Sequence, residues 1–343
     1  MEKSLDIKIR NILADPSSND FIIADAKDGD MGFGVAAPGL NKEPSHLEYG
    51  SVKDHRDNMR AIVEQGLVDI MLMSVSASEQ LTLEERIFDG STVTPAIRAN
   101  DTSDIWCGLS ANYGDQPSLP FRSTTIEHAQ CGKAICSDEE RSLGANLGLY
   151  SMTFNNDAQL DREALQAYKE FRIEAELKGF RHFLEVFAPN SPVQPIADIP
   201  RYVNDCITRT LGGVPKAGRP VFLKIPYFGP EAMEQLAHYD SSIIVGILGG
   251  SSGTTHDAFR MLWESKKYGG HAALFGRKIN NSEHPLTFVK FLRHLADGDL
   301  EPEQAVRDYH GELSNLGVEP YRSCLLYTSP SPRDQRGAGV GGG

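Results

Sequence analysis

Residues 220–230 read PVFLKIPYFGP, an apolar run closed by prolines at both ends and holding one lysine, Lys224. Burying an ammonium without a partner is costly, and proteins often respond by lowering its pKa. Two readings follow. On an edge strand, or with its charge snorkelled outward, Lys224 is an ordinary surface cation. Kept partly neutral in an apolar pocket, it becomes a nucleophile towards carbonyl carbon.

Two carboxylates sit in similar apolar runs. Asp25 sits among the last residues of FIIADA (21–26), where an unpaired buried acid needs a reason. Glu185 lies in FRHFLEVFAPN (180–190), on the face shared with Phe183 and Phe187 by the two-residue strand period. Its plainer role is a salt bridge, and the neighbouring strand supplies Lys224, so the two roles overlap. Asp28 and Asp30 follow Asp25 in a glycine-rich segment and read as turn formers carrying solvated charge. A lysine and two carboxylates converging on one mouth would supply a nucleophile and its proton carriers.

A second constellation suits an anion. GILGGSSGTTHDAF (246–259) frees the backbone at Gly249 and Gly250, with Ser251 next, just before a helix start. ALFGRKI (273–279) places Arg277 after Gly276. Glycine-rich turns at helix N-termini bind phosphate, and an arginine adds charge-assisted hydrogen bonds. Metal chemistry finds no such support. The ten histidines form no HxH or HExxH pattern, and neither a nucleophile elbow nor a P-loop occurs.

The elements that must position these residues alternate. Apolar runs at 21–26, 68–74, 93–99, 147–154, 180–187, 220–227, 242–248 and 271–276 read as strands. Segments such as 51–66, 160–179 and 255–270 between them have helical period, with Ser51 as an N-cap and glycines at the ends. Eight strands alternating with helices predict a parallel α/β architecture, a single-domain (β/α)8 TIM barrel over 20–315 following an N-terminal segment 1–19. An open doubly wound sheet is the alternative. In such a barrel the two glycine-rich loops follow strands seven and eight, the usual phosphate position. Residues 100–145 are too long and polar for a plain connection and read as an elaborated loop after strand three, a candidate lid.

Composition sets the frame. The chain has 343 residues, 40% hydrophobic and 24% charged, enough to bury a full core. A formal net charge of −13 argues against nucleic acid or an anionic membrane as partner. Without a signal-like or spanning segment, and with five cysteines lacking any CxxC pair, the expectation is a cytoplasmic protein with reduced thiols. Residues 324–334, CLLYTSPSPRD, resemble a translated sequencing adapter, and the QRGAGVGGG that follows is low in complexity. We read 324–343 as an artefactual tail that displaces the natural C-terminus.

The stretch 220–297 resembles the archaeal-type class I, Schiff-base aldolases, a group with fructose-bisphosphate, tagatose-bisphosphate and deoxyribose-phosphate aldolase relatives. FLKIPYFGPEAM, IIVGILGGSSGTTHDAFRML and FGRKINNSEHPLTFVKFLRHL carry the likeness, with ADAKDG and HFLEVFAPN similar to other strands of the family. The resemblance implies Lys224 as the imine-forming lysine, Asp25 and Glu185 as the acids, and Tyr227 as an aromatic beside the site. It implies Gly249, Gly250, Ser251, Gly276 and Arg277 as phosphate contacts, a phosphorylated sugar as substrate, no cofactor or metal, and a homo-oligomer. One departure stands out: several relatives carry a second lysine on strand four, where this chain offers Asn146. The implied reaction is metal-independent cleavage or formation of a C–C bond. Its rivals are thiolase- or transaldolase-like transfer on the same scaffold and a sugar-phosphate-binding barrel without turnover.

Overall fold

The computed structural model describes residues 1–41, 46–250 and 253–322. Eight parallel strands close into a barrel: β1 (Ile22–Lys27), β2 (Ile70–Met73), β3 (Thr94–Arg98), β4 (Leu147–Thr153), β5 (Arg181–Phe187), β6 (Leu223–Ile225), β7 (Val245–Leu248) and β8 (Ala272–Phe275). Each pairs with its sequence neighbours, and β1 pairs with β8 to close the ring. The chain is a (β/α)8 barrel, as the alternation predicted, and not an open sheet.

Both faces of the strands are buried. Phe183 and Phe222 stack in the lumen, 4.5 Å between ring centroids, beside Ala24, Leu72, Ala96, Leu149 and Leu274. The alternate residues, such as Ile23, Met71, Ile97, Leu184, Leu223 and Ala273, pack outward beneath the helices. This parity assigns every later residue to lumen or wall.

The N-terminal segment is part of the barrel. Helix Ser4–Ala14 buries Leu5 and Ile12 among the lumen side chains Ile22, Ile70, Leu147 and Ile244, closing the end where the strands begin. Each such buried side chain contributes about 1.5–3 kcal/mol. Lys8 fixes the plug by an ion pair of 2.8 Å to buried Asp69, which also accepts from the Ile23 N–H at 2.9 Å. The opposite end, where the strands finish, is the one this helix leaves uncovered.

The helix signals hold. Ser51 caps helix Val52–Gln65 in a reciprocal box with Asp54, and Gly66 ends it at φ +69°. Helices Ala158–Leu177 and Thr255–Lys267 occupy the other two segments read as helical.

The elaborated loop after β3 crosses the open end. A short antiparallel pair, Asp101–Thr102 with Pro120–Phe121, forms its base. Asn155, just past β4, pins it by accepting from Ser118 N–H at 2.9 Å and donating to Ser118 O at 2.8 Å. Asn190, after β5, donates to the carbonyls of Gly114 and Gln116. On the far side Gly108 N–H reaches Gly32 O at 3.1 Å, in the loop after β1. The loop thus bridges the mouth from β5 to β1.

One expectation is corrected. Cys131 and Cys136 form a disulfide, while Cys107 and Cys206 are free thiols. Helix Ile126–Cys131 ends at Gly132, φ +73°, and that left-handed turn brings Cys136 back within bridging distance, 6.1 Å between Cα atoms. Spacing alone could not show this. The expectation that all the thiols are reduced is therefore corrected at this pair. Among the described residues no helix is long and apolar enough to cross a membrane. Cys324 and the tail 324–343 lie outside the described residues.

Candidate active site

Parity places Lys224 in the lumen, since Leu223 and Ile225 on either side of it pack outward. β5 and β6 pair so that Glu185 and Lys224 are register partners, and β4 with β5 so that Ser151 partners Glu185. Three adjacent strands therefore deliver three polar side chains to one level of the lumen. Lys224 Nζ lies 2.6 Å from Glu185 Oε1. Ser151 Oγ donates to Glu185 Oε2 at 2.6 Å.

Two further charges complete the group. Arg98, the last residue of β3, faces inward two residues after Ala96. Its Nε donates to Asp28 Oδ2 at 2.6 Å and its Nη1 to Ser151 Oγ at 3.2 Å, and its Nη2 lies 3.7 Å from Glu185 Oε2. Asp28 follows β1 directly. Lys224, at 6% exposure, and Arg98, at 8%, are both inside the mouth, as are Glu185 and Asp28. The set is two acids and two bases, a charge balance that makes burial tolerable.

Electrostatics tie the four together. Burial alone would push the Asp28 carboxyl up, but the Arg98 guanidinium and the Lys224 ammonium overcome it and hold it below its ordinary value. Burial likewise works against the Arg98 charge, and Asp28 and Glu185 more than offset it. Above them, Asp104 of the crossing loop is pushed up by burial, despite a 2.7 Å hydrogen bond from Ser118 Oγ.

Asp25 and Tyr227 are not in this mouth. Asp25 pairs in register with Met71 and Phe275, both outward-facing, and so points into the wall beneath the helices. Its nearest charge is Lys27, at 3.4 Å, and burial pushes its carboxyl up to about 6. Tyr227 also packs outward, where burial and then Glu264 of helix Thr255–Lys267 push its hydroxyl up. The acid that β1 delivers to the lumen is Asp28, read from sequence as a solvated turn residue. Asn146 is likewise misplaced by the sequence reading. It precedes β4 at the closed end, donating to Gly179 O and accepting from Gln130. The lumenal residue of β4 beside Glu185 is Ser151.

The loops after β7 and β8 flank the same mouth. Gly249 serves the barrel: its N–H donates to Leu274 O at 2.7 Å, and a Cβ there would lie 2.2 Å from the Phe275 ring. Gly276 allows close approach to β1, where a Cβ would meet Ala26 O at 2.3 Å. Gly250 adopts φ +51°, which favours glycine. Ser251 lies outside the described residues. Arg277 lies over the Phe33 ring, 5.1 Å to the centroid, and burial lowers its pKa. Among the described residues no carboxylate pairs with it, which leaves its fork open for an anion. Among the described residues no His, Cys, Asp and Glu group is arranged to hold a metal ion.

The fold is similar to a Schiff-base-forming fructose-1,6-bisphosphate aldolase, with a TM-score of 0.60 and 16% identity over 84% of this chain and 99% of that one. An archaeal fructose-1,6-bisphosphate aldolase, trapped with its catalytic lysine as a covalent carbinolamine, gives 0.57 and 16% over 85% of this chain and all of that one. A Corynebacterium glutamicum protein gives 0.58 and 13%, over 88% and 99%. In sequence, 117 residues are 28% identical to a 2-amino-3,7-dideoxy-D-threo-hept-6-ulosonate synthase of Archaeoglobus fulgidus. That match covers 33% of this chain and 44% of the relative, less than half its length. No protein-family model matches. At these identities the structural likeness speaks to the fold.

Proposed function

We propose that the protein is a class I aldolase, cleaving or forming a C–C bond of a phosphorylated sugar through an imine on Lys224. The observation that carries this reading is the Lys224–Glu185 contact, a lysine buried in the lumen with its amine 2.6 Å from a carboxylate. The likeness to Schiff-base aldolase barrels supports it.

Glu185 takes a proton from Lys224, and the neutral amine attacks the substrate carbonyl to give a carbinolamine. Returning that proton to the carbinolamine oxygen releases water and leaves an iminium. The iminium draws the electrons of the adjacent C–C bond as Asp28 removes the proton of the hydroxyl one carbon beyond. An aldehyde departs, and the enamine left on Lys224 is protonated and hydrolysed. Arg277, with the backbone at Gly250 and Gly276, holds the phosphate, so that remote binding orients the reacting carbon. The crossing loop excludes water.

A panel of phosphorylated ketoses and aldoses, assayed for released triose phosphate with and without an added acceptor aldehyde, tests the reaction. Triose release without acceptor supports cleavage. Turnover that requires an acceptor supports transfer instead.

A further inference from the structure

We propose that Arg98 is a positioning residue for the nucleophile: it binds Asp28, shares Glu185 with Lys224, and by its fixed charge favours loss of the lysine's proton. The inference rests on the reading of Lys224 as an imine-forming amine and adds the element that sets its charge.

The hydrogen-bond accounting is one-directional. Ser151 has one hydroxyl hydrogen, and it is aimed at Glu185 Oε2. Its oxygen must therefore accept from Arg98 Nη1, as the 3.2 Å contact has it. A guanidinium does not give up a proton at ordinary pH, so the chain from Arg98 through Ser151 to Glu185 cannot reverse. The same guanidinium binds Asp28 through Nε. One planar fork thus fixes side chains from three other parts of the barrel, which a single ammonium cannot match.

The charge count gives the consequence. Facing Lys224 are Glu185 from β5, Asp28 after β1, and Arg98 from β3, with Ser151 on β4 between them. Asp101 and Asp104 of the crossing loop act on Arg98 and Glu185. Asp30, near Asp28, is hydrogen-bonded to Ser74 after β2. β7 and β8 contribute Leu248 and Leu274. Without Arg98, Lys224 is the lone cation among these acids, and its ammonium form gains.

The test is a titration independent of turnover. Protein carrying lysine labelled with 13C at the ε-carbon is followed by NMR across pH, the Lys224 signal being assigned by its loss in Lys224→Met. In Arg98→Gln, with Arg98→Met made alongside, Lys224 should titrate about one unit or more above wild type, a tenfold change in proton affinity. Arg98→Lys, which keeps the charge, should stay within about half a unit. An unchanged or lower value in the neutral variants, or a full-unit rise in Arg98→Lys, overturns the proposal. Failure of every sugar phosphate to trap on Lys224 would sink the aldolase reading and leave this titration to stand or fall alone.

Discussion

Glu185 and Lys224 are register partners on adjacent strands, and their charged atoms meet at 2.6 Å inside the barrel. The contact is set by backbone pairing, so it does not depend on a mobile loop. A buried pair broken on one side leaves an uncompensated charge, which costs about 3–5 kcal/mol. Glu185→Ala should therefore destabilise the fold. Glu185→Gln keeps the shape, and its effect should be chemical: a fall in kcat of about 100-fold or more, with KM little changed. Steady-state kinetics beside a denaturation curve separates the two.

The two aspartates near β1 should part company. Asp28→Asn is expected to lower kcat by about 100-fold or more, because it removes a proton carrier and unpairs Arg98. Asp25→Asn, in the wall, should leave kcat near wild type.

Asp25 instead writes itself into stability. Its folded pKa, about 6, lies above the unfolded value of 3.8, so between those values the folded state binds more protons than the unfolded. Stability from this group is thus full below about pH 4 and falls as pH rises to about 6, by roughly 3 kcal/mol in all. Asp25→Asn should flatten that slope. Urea denaturation of both proteins at pH 4, 5, 6 and 7 measures it.

Arg277 is the phosphate test. Arg277→Gln should raise KM for a phosphorylated substrate by about 10-fold or more, and kcat should change less, because a charge-assisted hydrogen bond contributes about 1.5–3 kcal/mol. Competition by inorganic phosphate should weaken in step. A variant that lost kcat with KM unchanged would place the anion elsewhere.

The Cys131–Cys136 bridge closes a loop of a few residues and supplies none of the groups gathered at Lys224, so reduction should cost about 2 kcal/mol of stability by loop entropy. Activity below the melting temperature should not change. Melting curves with and without dithiothreitol, and on the paired serine variant, check both statements.

How much of this was legible in the sequence depends on parity. All eight strands could be read, because each is an apolar run bounded by glycine, proline or a helix cap. Lys224 and Glu185 could also be read, since a charge in such a run demands a partner. The face of β1 could not. IIADAK is buried on both sides, so nothing in its pattern says that Ala24 faces the lumen and Asp25 the wall. With Ala24 in the lumen, Asp25 faces the wall and Asp28, three residues on, returns to the lumen; past β6, Tyr227, three residues after Lys224, falls on the opposite face from it. Arg98, at the end of TPAIR, carries the same signal as Lys224, a cation in a buried strand. Asn146 was misplaced by end: it lies before its strand, and the mouth lies after. The disulfide depended on a left-handed turn at Gly132, a feature of conformation that spacing does not encode.

One measurement reaches the centre of the account. The protein is incubated with dihydroxyacetone phosphate and with a panel of sugar phosphates, reduced with borohydride, digested and examined by mass spectrometry. The account predicts a secondary amine bearing the reduced substrate on Lys224, abolished in Lys224→Met and present in Asp25→Asn. Catalysed cleavage with Lys224 unmodified, or an adduct on any other lysine, contradicts it.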